Sequence, residues 1–256
     1  MRTARISLPG QTAPLCAAVS ADGLSLDLGG QQIPLTDGSF APAVTGWIYG
    51  PLLNETATVE RFGPALTQPP YAAPPTVPVM YFKPKNTHRG HGSVITLPPY
   101  ADSVELGASI GAVMGHQVAR ASANTAMSAV AGYTIVLDLS QPNPSVYRPP
   151  VQEKCFDGAC PVGPWVVSAD QIADPHTLEI RTFVNDVLMA SRTLSDLVRP
   201  LPTLIADVTD FMALSGGDVL TLGYPVGAVP TARRGDRIRI EVDGLGALEC
   251  SLAEAE

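Results

Sequence analysis

Residues 104–115, VELGASIGAVMG, constrain this chain more than any other stretch. The even positions, Val104, Leu106, Ala108, Ile110, Ala112 and Met114, are all apolar. The odd positions, Glu105, Gly107, Ser109, Gly111, Val113 and Gly115, are mostly small. A period of two belongs to a strand, whose successive side chains leave opposite faces. One face therefore joins a core. The other carries little side-chain bulk, so a ligand or a second stretch of backbone can come close to it.

The rest of the chain reads the same way. Proline (25) and glycine (23) are spread throughout, helical periodicity is scarce, and short β-branched runs lie between turn signals. These features predict a mainly β protein with a few helices. Residues 1–40 read as short strands of a small N-terminal unit, followed by GWIYGPLLN at 46–54 and a helix near 54–66. The proline-rich run at 67–86 is extended, since proline fixes φ and removes a donor. It predicts a division into a small β unit with its linker over residues 1–75 and a main domain over 76–256. Residues 121–133 read as a helix, with Ser122 or Asn124 as N-cap, and 134–140 as a strand with Asp138 near its end. Residues 177–192 predict a hairpin turning at Asn185-Asp186. An amphipathic helix is expected from about Pro202, and strands close the chain at 216–223 and 234–250.

Hydrophobic residues make up 45% of the 256, enough for a real core, and the net charge is −8. No Lys/Arg run exceeds two residues, which argues against nucleic acid as a partner. A small anion stays possible, because a pocket's local charge can oppose the net charge. No apolar run approaches the roughly 20 residues of a membrane helix. The opening MRTARISLPG lacks the apolar segment of a secretory leader. The expected location is the cytoplasm, where thiols stay reduced.

The stretch KCFDGACPVGPW, residues 154–165, could be a metal clip, a disulfide or a loop that presents Lys154. The cysteines are Cys16, Cys155, Cys160 and Cys250; no C-x-x-C occurs and no histidine lies near Cys155 or Cys160. Zinc and a disulfide are both poor fits, and packing is the plain reading of the two cysteines.

Taken in order, YFKPKN, AGYTIVLDLS, KCFDGACPVGPWVV, GGDVLTLGYPVGAV and RRGDRIRIEVDGLGALE resemble the fumarylacetoacetate hydrolase superfamily over roughly residues 47–250. PPYAAPP, KPKNT and SVYRPPVQEKCFDGACPVG are similar to the amino-terminal half of its homoprotocatechuate-pathway branch. That branch includes 5-oxopent-3-ene-1,2,5-tricarboxylate decarboxylase and 2-hydroxyhepta-2,4-diene-1,7-dioate isomerase. The resemblance implies a mixed β-sandwich roll, often dimeric, and a Lys154 that faces the ligand and binds a carboxylate or keto oxygen. An ammonium on a rigid Pro/Gly loop suits an oxo acid. The resemblance also implies a loop at His88 and His91 near the pocket, where one of them would act as general base. Lys83, just before that loop, is taken with Arg148 and Tyr224 as substrate-binding.

Active members of that superfamily hold Mg²⁺ or Mn²⁺ through Glu-x-Glu on a strand and a later Asp, the oxygen ligands that hard cations need. Aligned with this chain, the two glutamates fall on Gly107 and Ser109, and the aspartate on Asp138. Glu105 lies on the same strand face but one pleat repeat, ~6.6 Å, from Gly107, so it cannot simply substitute. The expectation is a weak or absent metal. The superfamily's arginine after the aspartate falls on Pro142, and Arg148 could reach the same space; its late threonine falls on Tyr224.

Three functions fit the sequence. One is a decarboxylase/isomerase subunit for 2-oxo or enol di- or tricarboxylates, with Lys154, Arg148 and Tyr224 stabilising the enolate. A second is a non-catalytic, metal-less partner of a homologous metal-binding chain, as homodimer or heterodimer. A third, a β-rich binding module, fits the five ordered motifs least.

Overall fold

The computed structural model describes residues 1–142 and 148–254. Its spine is the strand Ser103–Met114, formed by the alternating stretch. Along ten residue pairs it runs antiparallel to Val130–Ser140, and it also pairs with Val219–Thr221 and Thr231–Arg233. Beyond Val130–Ser140 the sheet continues through Cys160–Ser168 to Arg2–Ser7 and the other N-terminal strands. Beyond Val219–Thr221 it continues, in parallel, to Ile48–Leu52 and then to Val79–Lys83. A second sheet of five strands includes the hairpin Ile180–Val184/Val187–Arg192 and the closing pair Arg237–Val242/Gly246–Leu252.

The even face of the spine packs in the largest core cluster. Val104, Leu106, Ile110 and Met114 join Ile135, Leu137 and Leu139 of the neighbouring strand there. Ile238, Ile240 and Leu248 of the second sheet and Leu204, Ile205 and Val208 of the helix Leu201–Phe211 complete it. Burying apolar area at roughly 25 cal/mol per Å² makes this layer the main stabilising contact between the sheets. The mainly β sandwich expected from the sequence is the fold observed.

Local expectations meet the structure unevenly. The hairpin turns at Asn185 (φ 51°) and Asp186 (φ 64°), the pair of left-handed residues that a two-residue I′ turn requires. The helix expected over 121–133 is much shorter: Ala123–Ala126, capped by Ser122 and Thr125, then one 3₁₀ turn, Met127–Ala129. The next strand begins at Val130 rather than at residue 134, because Val130, Gly132 and Tyr133 pair with the spine. Pairing in the sheet overrides the helical propensity of the alanines. The division expected at residue 75 does not follow the hydrogen bonding. Ile48–Leu52, on its N-terminal side, is an inner strand of the large sheet.

Candidate functional site

The odd face of the spine builds the site. In the antiparallel register Gly107 lies opposite Asp138, and Glu105 opposite Ser140, so all four point away from the main core. Lys83 and Tyr81 come from one face of Val79–Lys83, two residues apart. Lys154 ends the short helix Val151–Lys154, and Tyr224 follows Val219–Thr221 past a turn at Gly223 (φ 105°).

These residues converge on the Asp138 carboxylate, which is 2% exposed. Lys83 Nζ is ion-paired with Oδ1, and Lys154 Nζ lies 2.7 Å from Oδ2. The Tyr224 hydroxyl donates to the same Oδ2 at 2.9 Å and accepts from Lys154 Nζ. Lys154 Nζ also sits 4.4 Å from the centre of the Tyr81 ring, in cation–π contact. Burial opposes ionisation of Asp138, but the Lys154 and Lys83 ammoniums outweigh it and hold the carboxyl below the usual carboxylate range. Burial, reinforced by the Asp138 charge, pushes the Tyr81 and Tyr224 phenols well above their usual value. Both stay neutral hydroxyls.

The loop at 154–165 is held by its neighbour rather than by its cysteines. Asn86 donates to Cys155 O at 3.0 Å and to Asp157 Oδ1 at 2.7 Å, and Gly158 N donates back to Asn86 O. The KPKN and KCFDG motifs therefore knit together and fix the backbone that carries Lys154. Cys160 is fully buried, and burial pushes its thiol up to about 12. Cys155 is half-buried in the cavity wall.

Lys154 forms part of a cavity wall with Tyr81, Phe82, Val151 and Cys155, and Arg148 stands exposed at its rim. Arg148 thus shares one cavity with Lys154, and Tyr224 shares a second, smaller one with it. Tyr224 is turned inward, where its hydroxyl serves Asp138 and Lys154.

Three other expected residues are placed elsewhere, for identifiable reasons. Lys83 lies beneath the site. Its ammonium donates to Leu139 O (3.0 Å), Lys154 O (2.6 Å) and Ala159 O (3.2 Å) besides meeting Asp138, so it has no donor left for a substrate. His88 is buried and donates from Nε2 to Lys83 O at 3.0 Å. His91 accepts from Glu249 N at 3.1 Å and packs edge-on against Phe40. Among the described residues neither histidine is in the wall of the two cavities that Lys154 borders, and His88–Arg89 pairs with the start of Cys160–Ser168. His176 bridges Asp174 and the amide of Leu201 at the start of a helix.

The donor set does not fit a hard divalent cation. A Cβ on Gly107 would stand 2.5 Å from Tyr224 Cε1, so the phenol ring fills the space where a carboxylate would have to start. Ser109 spends its hydroxyl on Gly223 O at 2.8 Å. Asp138, expected from the resemblance to be a ligand, is already bound by two ammoniums and a phenol. Among the described residues no group of three or more His, Cys, Asp or Glu is placed to hold a metal.

Sequence reasoning missed the platform under Lys154 and the brace behind Tyr224. Tyr81 was legible in principle, two residues before Lys83 on one strand face. Arg192 was not: from the hairpin it donates to Ala108 O and Gly223 O, held by Glu55 at 2.8 Å, and only the tertiary fold joins those segments.

Residues 47–253 match the fumarylacetoacetate (FAA) hydrolase C-terminal family. Over 204 residues the chain is 35% identical to the 4-hydroxyphenylacetate degradation bifunctional isomerase/decarboxylase of Salmonella dublin, which takes in 80% of this chain and 46% of that protein. The chain thus spans about half the length of the curated relatives it matches, 46% for each of the first three. The solved structure of 5-carboxymethyl-2-hydroxymuconate delta-isomerase from Mycobacterium smegmatis superposes with a TM-score of 0.79 at 27% identity, covering 100% of both chains. Maleylpyruvate hydrolase from Sphingobium sp. SYK-6, solved in complex with manganese(II) ion and pyruvate, superposes with a TM-score of 0.75 at 23% identity and 100% coverage of both; at that identity the likeness shows the fold alone. No helix among the described residues is long and apolar enough to cross a membrane.

Proposed function

This chain belongs to the fumarylacetoacetate hydrolase family, and from that premise we propose that it is a metal-independent decarboxylase/isomerase subunit, as a homodimer or paired with a homologous chain. Its substrates are 2-oxo or enol di- and tricarboxylates of aromatic-compound catabolism, of the type of 5-oxopent-3-ene-1,2,5-tricarboxylate and 2-hydroxyhepta-2,4-diene-1,7-dioate. One observation carries the reading: two buried ammoniums share a single carboxylate, and the one that reaches a cavity is Lys154. Taken by itself, the cluster of Lys83, Lys154 and Asp138 carries one more positive than negative charge at the wall of that cavity. The names of the relatives add the substrate class.

In this reading Arg148 takes a substrate carboxylate at the rim, where its planar fork suits two oxygens. Lys154 takes the oxo oxygen. When a proton or carbon dioxide leaves the carbon chain, the electron pair moves through the conjugated system onto that oxygen. An ammonium already in place, in a region poor in water, stabilises the growing charge without reorganising. Asp138 and Tyr224 keep the ammonium aimed, and the Tyr81 ring supports it from below.

The test is the purified protein with 2-hydroxyhepta-2,4-diene-1,7-dioate, followed by ultraviolet absorbance in EDTA and in Mg²⁺. Turnover that is the same in both is expected. Turnover only with Mg²⁺ overturns the metal-independent reading. Turnover only after adding a homologous metal-binding chain establishes the second role considered from the sequence, a non-catalytic partner, which the alignment of the superfamily's two glutamates with Gly107 and Ser109 favours.

A further inference from the structure

Lys154 also borders a second, smaller cavity, and that cavity holds a carboxylate which the steps above leave unused. Glu105 is in its wall, together with Ser140, Gln141 and Tyr224. Glu105 leaves the same sheet face as Asp138, one pleat repeat along the strand. It is half-buried and makes no side-chain hydrogen bond or ion pair among the described residues. The side-chain nitrogen of Gln141, in the same wall, is buried and likewise has no hydrogen-bond partner among them. The Glu105 carboxylate and the buried, unpartnered Gln141 nitrogen thus border one cavity, next to the ammonium that would hold the oxo oxygen. A buried nitrogen such as that of Gln141 is costly to leave unpaired unless a ligand or a water meets it.

We propose that Glu105 is the proton-transfer residue of this site. The inference rests on the enolising reading given above and names the group that reading lacks. As a carboxylate, Glu105 removes a proton from the carbon next to the oxo group. The C–H electron pair moves into the conjugated chain and the charge settles on the oxygen held by Lys154. The neutral acid then returns the proton to another carbon of the same chain, which restores the carboxylate and shifts the double bond. One proton leaves and one returns, and no oxidant or reductant takes part.

The surroundings suit a group that both accepts and donates. Burial raises the pKa of Glu105, Asp138 on the adjacent strand pushes it the same way, and Lys154 and Arg61, on the helix Thr56–Leu66, pull it down. The neutral Tyr224 hydroxyl also borders the cavity. The result lies above the ordinary glutamate value, closer to a working pH.

The experiment measures exchange of the C3 protons of 2-oxoglutarate in D₂O by NMR, from pH 4 to 9, for wild type, E105Q, E105D and K154M. Wild-type exchange should rise with pH as Glu105 loses its proton. E105Q should exchange about 10²–10⁴-fold more slowly, with its rise at acidic pH abolished and 2-oxoglutarate binding by calorimetry within threefold of wild type. E105D should recover part of the rate. K154M should instead weaken binding. E105Q exchanging at the wild-type rate, with the wild-type pH profile, overturns the assignment of Glu105 alone. A wild type that exchanges nothing while binding 2-oxoglutarate overturns the enolising reading and this inference with it.

Discussion

Lys83 and Lys154 meet the two oxygens of one carboxylate, yet the fold treats them as different kinds of residue. Lys83 is 1% exposed and donates to three main-chain carbonyls as well as to Asp138. One of those carbonyls is that of Lys154 itself, so Lys83 fixes the backbone on which the other lysine stands. Lys154 is held by a carboxylate, a phenol and an aromatic face, and it borders two cavities. The lesson is that a buried ammonium is structural when main-chain carbonyls consume its donors, and available for chemistry when softer or movable partners hold it.

Substitution of each lysine is the strongest way to break this comparison. K83M leaves the Leu139 and Ala159 carbonyls and one oxygen of Asp138 without their cation. Removing one partner of a buried pair costs about 3–5 kcal/mol, so urea unfolding should show a loss of that size. A K83M protein as stable as wild type would remove the structural role. K154M should have the opposite profile. Asp138 keeps Lys83, so stability falls by markedly less, while turnover of the diene-dioate drops by about 10²–10³-fold, as for loss of a donor to a developing oxyanion. Steady-state kinetics beside the same urea titration separate the two variants, and equal losses on both axes would merge the roles.

The smallest effect sharpens the comparison through acid titration. The fold holds the Asp138 carboxyl below its usual range. The unfolded chain therefore takes up this proton first as pH falls. The stabilisation is whole above the ordinary aspartate value of about 3.9 and is lost as pH drops through the lower folded value. In K154M one of the two ammoniums is gone, so the carboxyl should titrate closer to the ordinary value, and the acid loss of stability should be smaller and complete at higher pH. Carbon-13 NMR of the Asp138 carboxyl carbon reads this directly. An unchanged titration would mean that Lys83 alone sets it.

The spine strand was legible because its alternation is a local pattern that the sheet confirms residue by residue. The hairpin at Asn185-Asp186 was legible for a similar reason, since two left-handed residues in a row suit almost nothing but a tight turn. The helix expected over 121–133 was overread, because alanine-rich composition says nothing about the strand waiting to pair with Val130 and Tyr133. Likewise the histidines of NTHRGHG were close in sequence to Lys83, but His88 is held by the Lys83 carbonyl and His91 by the Glu249 amide, partners that no local pattern announces.

Sequence by itself determined the two-faced spine, the β-rich sandwich and the small side chains at Gly107 and Ser109, because each is written in consecutive residues. Only the tertiary structure decided what surrounds those small residues. The Tyr224 ring covers Gly107, two lysines from separate strands and helices bind Asp138, and Glu105 borders a cavity with Lys154. Side chains that lie far apart along a chain acquire their partners, their charge and their access to solvent from packing, and no local pattern records which of two lysines will have its donors consumed.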